Sequence, residues 1–208
     1  LRMHQPRRFQ PISILANLVP LAGVLMLGWN IMTILLLYWA ENAIVGVFNI
    51  LKMVTIARAH RNPQEFALVP FFMVHYGLFW AGHGVFLLVG GVLSGLVGQS
   101  DVREILTAGW FFAEPQRLVS LLSLAAGHAY TFFFHFLRRR QYHAITVDAQ
   151  MVQPYSRVLV MHVTILGSAA LAVLLGWQDA PVPVILLVLL KILFEGRPLG
   201  NARSTRDA

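Results

Sequence analysis

The chain contains no cysteine. That excludes disulfides, iron–sulfur clusters and thiolate chemistry, and it leaves the redox compartment undetermined. Charge is scarce too: Asp, Glu, Lys and Arg make up only 12% of the 208 residues, against about 25% in a typical soluble domain. The charge present is one-sided, with 16 basic and 9 acidic residues and a formal net charge of +7. Several motifs are also missing. There is no H-E-x-x-H zinc signature, no set of closely spaced histidine boxes of the membrane di-iron type, no nucleic-acid-binding motif and no long internal repeat.

Apolar residues fill the space, 57% of the chain, in long blocks separated by arginines. That is the pattern of a polytopic membrane protein, so nucleic acid is rejected as a partner and the lipid bilayer takes its place. The fold class expected is all-α: one transmembrane helical bundle over residues 1–208, with six spans. They run from Ile12 to Trp29, Ile31 to Ala57, Pro70 to Gly98, Leu118 to Leu137, Tyr155 to Trp177, and from beyond Pro183 to Phe194. The first run is expected to be a retained span with a kink at Pro20, because no clear small-residue cleavage site follows it. Val102, Ile105, Leu106, Trp110 and Phe111 fall near helical spacing, so a short amphipathic helix competes with a plain loop between the third and fourth spans.

Orientation follows from the arginines. Arg2, Arg7, Arg8, Arg58, Arg61, Arg138, Arg139, Arg140, Arg157, Arg197, Arg203 and Arg206 fall at one set of span ends, and only Arg103 and Arg117 at the other. Six spans with both termini cytoplasmic satisfy the positive-inside rule at every loop. The membrane expected is a bacterial inner membrane.

Ionisable side chains inside hydrocarbon are expensive, which makes them the candidate functional residues. Rise along a helix sorts them into two levels. His75, His135 and His162 fall toward the cytoplasmic side and would suit a metal ion. His83, His128 and Glu41 fall near mid-depth and would suit a cofactor. Neutral imidazole is the commonest metal ligand and an axial ligand of haem, and a carboxylate can complete or orient such a shell. Candidate ligands are therefore a transition metal ion, a single haem or a chlorophyll-type pigment; the two levels are too close for paired haems. His128 and His135, seven residues apart, are expected on one stripe of an α-helix. The competing reading is that these groups simply hydrogen-bond neighbouring helices. Lys191 and Glu195 read as an interface ion pair.

Two stretches carry a likeness. Tyr38-Trp39-Ala40-Glu41-Asn42, followed by Gly46, Phe48-Asn49 and Leu51-Lys52-Met53, and then His75-Tyr76-Gly77, Phe79 and Gly82-His83-Gly84, resemble the signatures of domain-of-unknown-function family 6498. This is an uncharacterised family of bacterial multi-pass membrane proteins. The Asn17-Leu18-Val19-Pro20 start fits as well. The resemblance implies a small integral membrane protein and puts Glu41, Asn42, His75 and His83 inside the defining motifs; it implies no activity. Three functions stand at this point: a metal- or tetrapyrrole-binding protein with redox chemistry among its options, an accessory structural subunit associated with other membrane subunits, and a proton-coupled carrier.

Overall fold

The computed structural model describes residues 31–93, 97–156 and 158–159. The expected first and sixth spans, with Lys191 and Glu195, and most of the fifth, with His162, lie outside the described residues. Every regular element among the described residues is helical. In chain order these are α1 (Ile31–His60), α2 (Pro63–Leu93), α3 (Gln99–Leu106), α4 (Gly109–Ala113) and α5 (Pro115–Tyr130). Helix α5 runs directly into a π-helical stretch, Thr131–Leu137. A 3₁₀ turn, Gln141–His143, and a helix α6 over residues 147–156 follow.

Among the described residues, three helices are long and apolar enough to cross a membrane: α1, α2, and α5 with its π-helical continuation. Helix α1 is the most buried of the three and packs against both of the others. The tight reversal between α1 and α2 has a local cause. Arg61 takes a left-handed conformation with φ 54°. Asn62 then caps α2, its Oδ1 accepting from the Gln64 N–H at 3.0 Å. Pro63 opens the helix, where a missing N–H costs nothing. Glu65, in the first turn, meets the His60 ring at 3.0 Å. Start signals this strong move the helix start seven residues ahead of the expected Pro70, which lies inside the helix. The cost of Pro70 is one lost backbone bond and a local crowding, insufficient to end an apolar helix so capped.

Two apolar cores form at opposite ends of α1. One gathers Met53, Ile56, Phe72, Tyr76, Phe132, Phe136, Val147 and Val158. The other gathers Met32, Leu36, Leu37, Leu87, Val97, Ile105, Trp110 and Phe111. The second is closed by the amphipathic segment: α3 and α4 are helical, and Ile105, Trp110 and Phe111 turn inward. The amphipathic-helix expectation for this loop therefore describes its local structure. The outward face of α2 carries Phe71, Met73, Val74, Leu78, Val85, Phe86 and Val89, all exposed. An apolar surface of this extent on a 31-residue helix is what a lipid-facing span presents.

The first core is sealed by a buried amide pair. Gln150 on α6 donates through Nε2 to Asn49 Oδ1 at 2.7 Å and to Gln153 Oε1 at 3.0 Å. Asn49 and Gln150 are almost wholly buried, so loss of either partner breaks a bond that water cannot readily replace. Asn49→Leu is expected to lower stability by about 1–3 kcal/mol, while Asn49→Leu with Gln150→Leu recovers part of that loss. Thermal melting of the four proteins of the cycle checks this; strictly additive losses would remove the coupling.

Candidate functional site

The site grows out of the α1–α2 packing. A tryptophan in an apolar span must satisfy its indole N–H, and Trp39 and Trp80 do so for each other's helix. Trp39 Nε1 donates to the Trp80 carbonyl at 2.9 Å, and Trp80 Nε1 donates to the Trp39 carbonyl at 3.0 Å. The two rings stack at 4.4 Å with an 8° interplanar angle. Glycines make room for this arrangement. A Cβ on Gly84 would stand 2.7 Å from Trp39, and one on Gly46 would stand 2.7 Å from the Tyr76 ring. Tyr76 in turn donates its hydroxyl to the Asn42 carbonyl at 2.9 Å. These contacts set how α2 is turned relative to α1, and so where its histidines face.

His128 on α5 reaches α1. Its Nε2 lies 3.3 Å from Glu41 Oε1. Glu41 is 5% exposed, and the His128 ring lies against Phe48 with centroids 6.2 Å apart. A carboxylate this deep is costly in hydrocarbon, about 2.5–3.5 kcal/mol on an insertion scale for acidic groups. An adjacent imidazole offsets part of that cost and can share or exchange a proton with the carboxylate.

His83 lies seven residues after Tyr76, nearly two full turns, and so shares the stripe of α2 on which Tyr76 meets α1. It is buried beside Asn42, Tyr76, Trp80 and Val158, around a void of about 10 Å³. That is room for roughly one water at most. His83 Nδ1 lies 2.7 Å from the Phe79 carbonyl of its own helix. A carbonyl only accepts, so Nδ1 carries the proton and Nε2 of the neutral ring is the lone-pair nitrogen.

The histidines expected at the other level take separate partners. His75 is exposed, with Nδ1 2.6 Å from the Tyr155 hydroxyl. His135 is half-buried with its ring edge-on to Tyr130. His162, the third member expected at that level, lies outside the described residues. Among the described residues, no group of three or more His, Asp or Glu side chains could hold a metal ion. The expected stripe of His128 and His135 is not kept either, because the chain between them leaves the α-helical period at Thr131.

A larger cavity, about 300 Å³, lies at the opposite end, over Met32 and Leu36. Asp101, Glu104, Glu114, Trp110 and Arg117 line it. Arg117 is held in structure there: its guanidinium stacks on Trp110 at 3.9 Å and donates to Glu114 at 2.9 Å, while its buried Nε finds no acceptor among the described residues.

A family model described as "Family of unknown function (DUF6498)" matches residues 4–207. The chain belongs to this family. Its reach over nearly the whole chain means that Glu41, His83, His128 and the Trp39–Trp80 staple all fall within the family region. No curated protein and no solved structure matches the chain.

Tyr155, Gln150 and the tryptophan pair are the partners that reasoning from the sequence missed. For the tryptophans the signal was present: an indole N–H in mid-span needs an acceptor, and Gly84 marks a close approach. Gln150 carried no comparable signal, since it sits near a helix start where polar residues are ordinary, and Tyr155 stood at the expected start of the fifth span.

Proposed function

We propose that this DUF6498 member is a six-span inner-membrane protein, termini cytoplasmic, that carries protons across the bilayer through the Glu41–His128 pair as a proton-coupled carrier. The observation that carries the reading is the contact itself: a buried carboxylate and an imidazole, 3.3 Å apart, contributed by two different spanning helices. Acidic and histidine side chains inside membranes mark proton relays and ion paths. The distribution of charge supports the orientation. Arg58, Arg61, Arg138, Arg139 and Arg140 flank one end of the three described spans, and Asp101, Glu104 and Glu114 stand in the segment linking the opposite ends of α2 and α5.

The test is proton movement in vesicles holding the purified protein, read with an internal pH dye under an imposed pH gradient and a panel of candidate solutes. The parent is expected to acidify or alkalinise the lumen, and Glu41→Gln to slow that at least tenfold. A folded parent that moves no protons under any condition, or a Glu41→Gln variant as fast as the parent, overturns the reading.

A second reading is favoured by His83, whose proton is held on Nδ1 by the Phe79 carbonyl. Backbone bonding of this kind fixes the tautomer and orientation of a metal-ligating histidine. A metal ion at His83 would show in metal analysis and in the visible spectrum of the same preparation. A colourless, metal-free and active protein removes it.

A further inference from the structure

Helix α5 does not continue as an α-helix past Tyr130. Over Thr131–Leu137 it is π-helical, and the Arg138 N–H donates to the Phe133 carbonyl at 3.0 Å, five residues back. Two ring stacks four residues apart accompany the wider turn: Tyr130 on Phe134 at 4.8 Å and Phe132 on Phe136 at 5.7 Å.

The consequence lies in which side chains of α5 face α1. His128 meets Glu41 and Phe48, Phe132 meets Phe48 at 5.8 Å, and Phe136 lies under the Lys52 ammonium at 5.7 Å. Glu41, Phe48 and Lys52 are spaced by seven and four residues, so they form one row of α1. The matching row on α5 is spaced by four and four. On an α-helix of 3.6 residues per turn, eight residues leave the first and last side chains about 80° out of line. A π turn, closed by i→i+5 bonds, takes in roughly one residue more. That extra residue brings His128, Phe132 and Phe136 back onto one face.

We infer that the π-helical stretch Thr131–Leu137 is the positioning element of the Glu41–His128 pair. It absorbs one surplus residue between His128 and the Phe136 anchor, and so keeps the imidazole turned toward α1. The inference rests on the reading of Glu41–His128 as the working pair. It assigns the orientation of the His128 side chain to a helix-register feature that meets His128 only through its backbone carbonyl.

Deletion of one exposed residue within the stretch tests it. Without Phe133, which is 56% exposed, His128 and Phe136 stand seven residues apart and a plain α-helix aligns them. This variant is expected to fold and to keep the pair. Deletion of the equally exposed Leu122, 57%, in the regular part of α5, turns one end of the helix by about 100° against its anchors, and the fold is expected to suffer. The readout is the solid-state NMR contact between the His128 ring nitrogens and the Glu41 side-chain carboxyl carbon in lipid. The parent is expected to show it, and the Phe133 deletion to keep at least half of its intensity. A Phe133 deletion that fails to fold, is as damaging as the Leu122 deletion, or folds without the contact overturns the register inference. A parent that lacks the contact removes the pair itself, and with it the functional reading.

Discussion

Gly84→Ala lowers the melting temperature of the detergent-solubilised protein, and Gly84→Val lowers it further. The added Cβ stands 2.7 Å and 2.8 Å from two carbons of the Trp39 indole, well inside van der Waals contact. Relief requires a neighbour that can move, and this one is held on three counts. Trp39 is stacked on Trp80, it donates to the Trp80 carbonyl, and its own carbonyl receives the Trp80 indole N–H. Overpacking of a rigid site costs roughly 1–3 kcal/mol. Trp39→Phe, which removes the clashing part of the ring, is expected to restore part of the loss in the double variant, giving non-additive losses of the kind neighbours in contact show. Additive losses across Gly84→Ala, Trp39→Phe and the pair would place the cost elsewhere than in this contact.

His128→Leu is the second large effect. It takes the imidazole from a carboxyl group that is 5% exposed and lies in an apolar span. Removing one member of a buried pair is far more damaging than replacing both, about 3–5 kcal/mol in water-soluble examples. On the membrane insertion scale an acidic group at mid-helix costs about 2.5–3.5 kcal/mol, and protonation of Glu41 limits the loss, so about 1–3 kcal/mol is expected. Glu41→Gln in the same background is expected to recover at least half of the lost stability, because the amide carries no charge to strand. Denaturant or thermal unfolding in one lipid-detergent mixture measures all four proteins. A His128→Leu variant as stable as the parent would mean that the 3.3 Å contact contributes nothing to the fold.

Depth was legible in the sequence, and direction was not. The rise per residue places Glu41, His83 and His128 at one level, and the structure brings Glu41 to His128. It does so while His83 bonds its own helix. Which groups meet is a matter of rotation, set by which small residues admit which rings. Gly84 under Trp39 and Gly46 under Tyr76 fix the roll of α2, and His83, seven residues after Tyr76, lines one small void with Asn42 and Tyr76. The stripe expected of His128 and His135 assumed a constant 3.6-residue period. A π-helical stretch is not marked by any residue type, so the run Phe132-Phe133-Phe134 reads as ordinary apolar helix and hides the change of register. The start of α2 was readable in retrospect: Asn62-Pro63 with Glu65 is a stronger beginning than Pro70. Charge clustering, by contrast, marked the ends of α1, α2 and α5 well, because arginines cannot sit in hydrocarbon wherever the rings happen to point.

The Trp39–Trp80 staple also decides what can move. Each indole is tied to the other helix's backbone rather than to a side chain, so α1 and α2 cannot slide or roll against each other without breaking both ties and the ring stack together. Helix α5 meets the α1–α2 hairpin through rings and the His128–Glu41 contact. Under the proposed carrier reading, movement among the described helices is expected of α5 rather than within that hairpin.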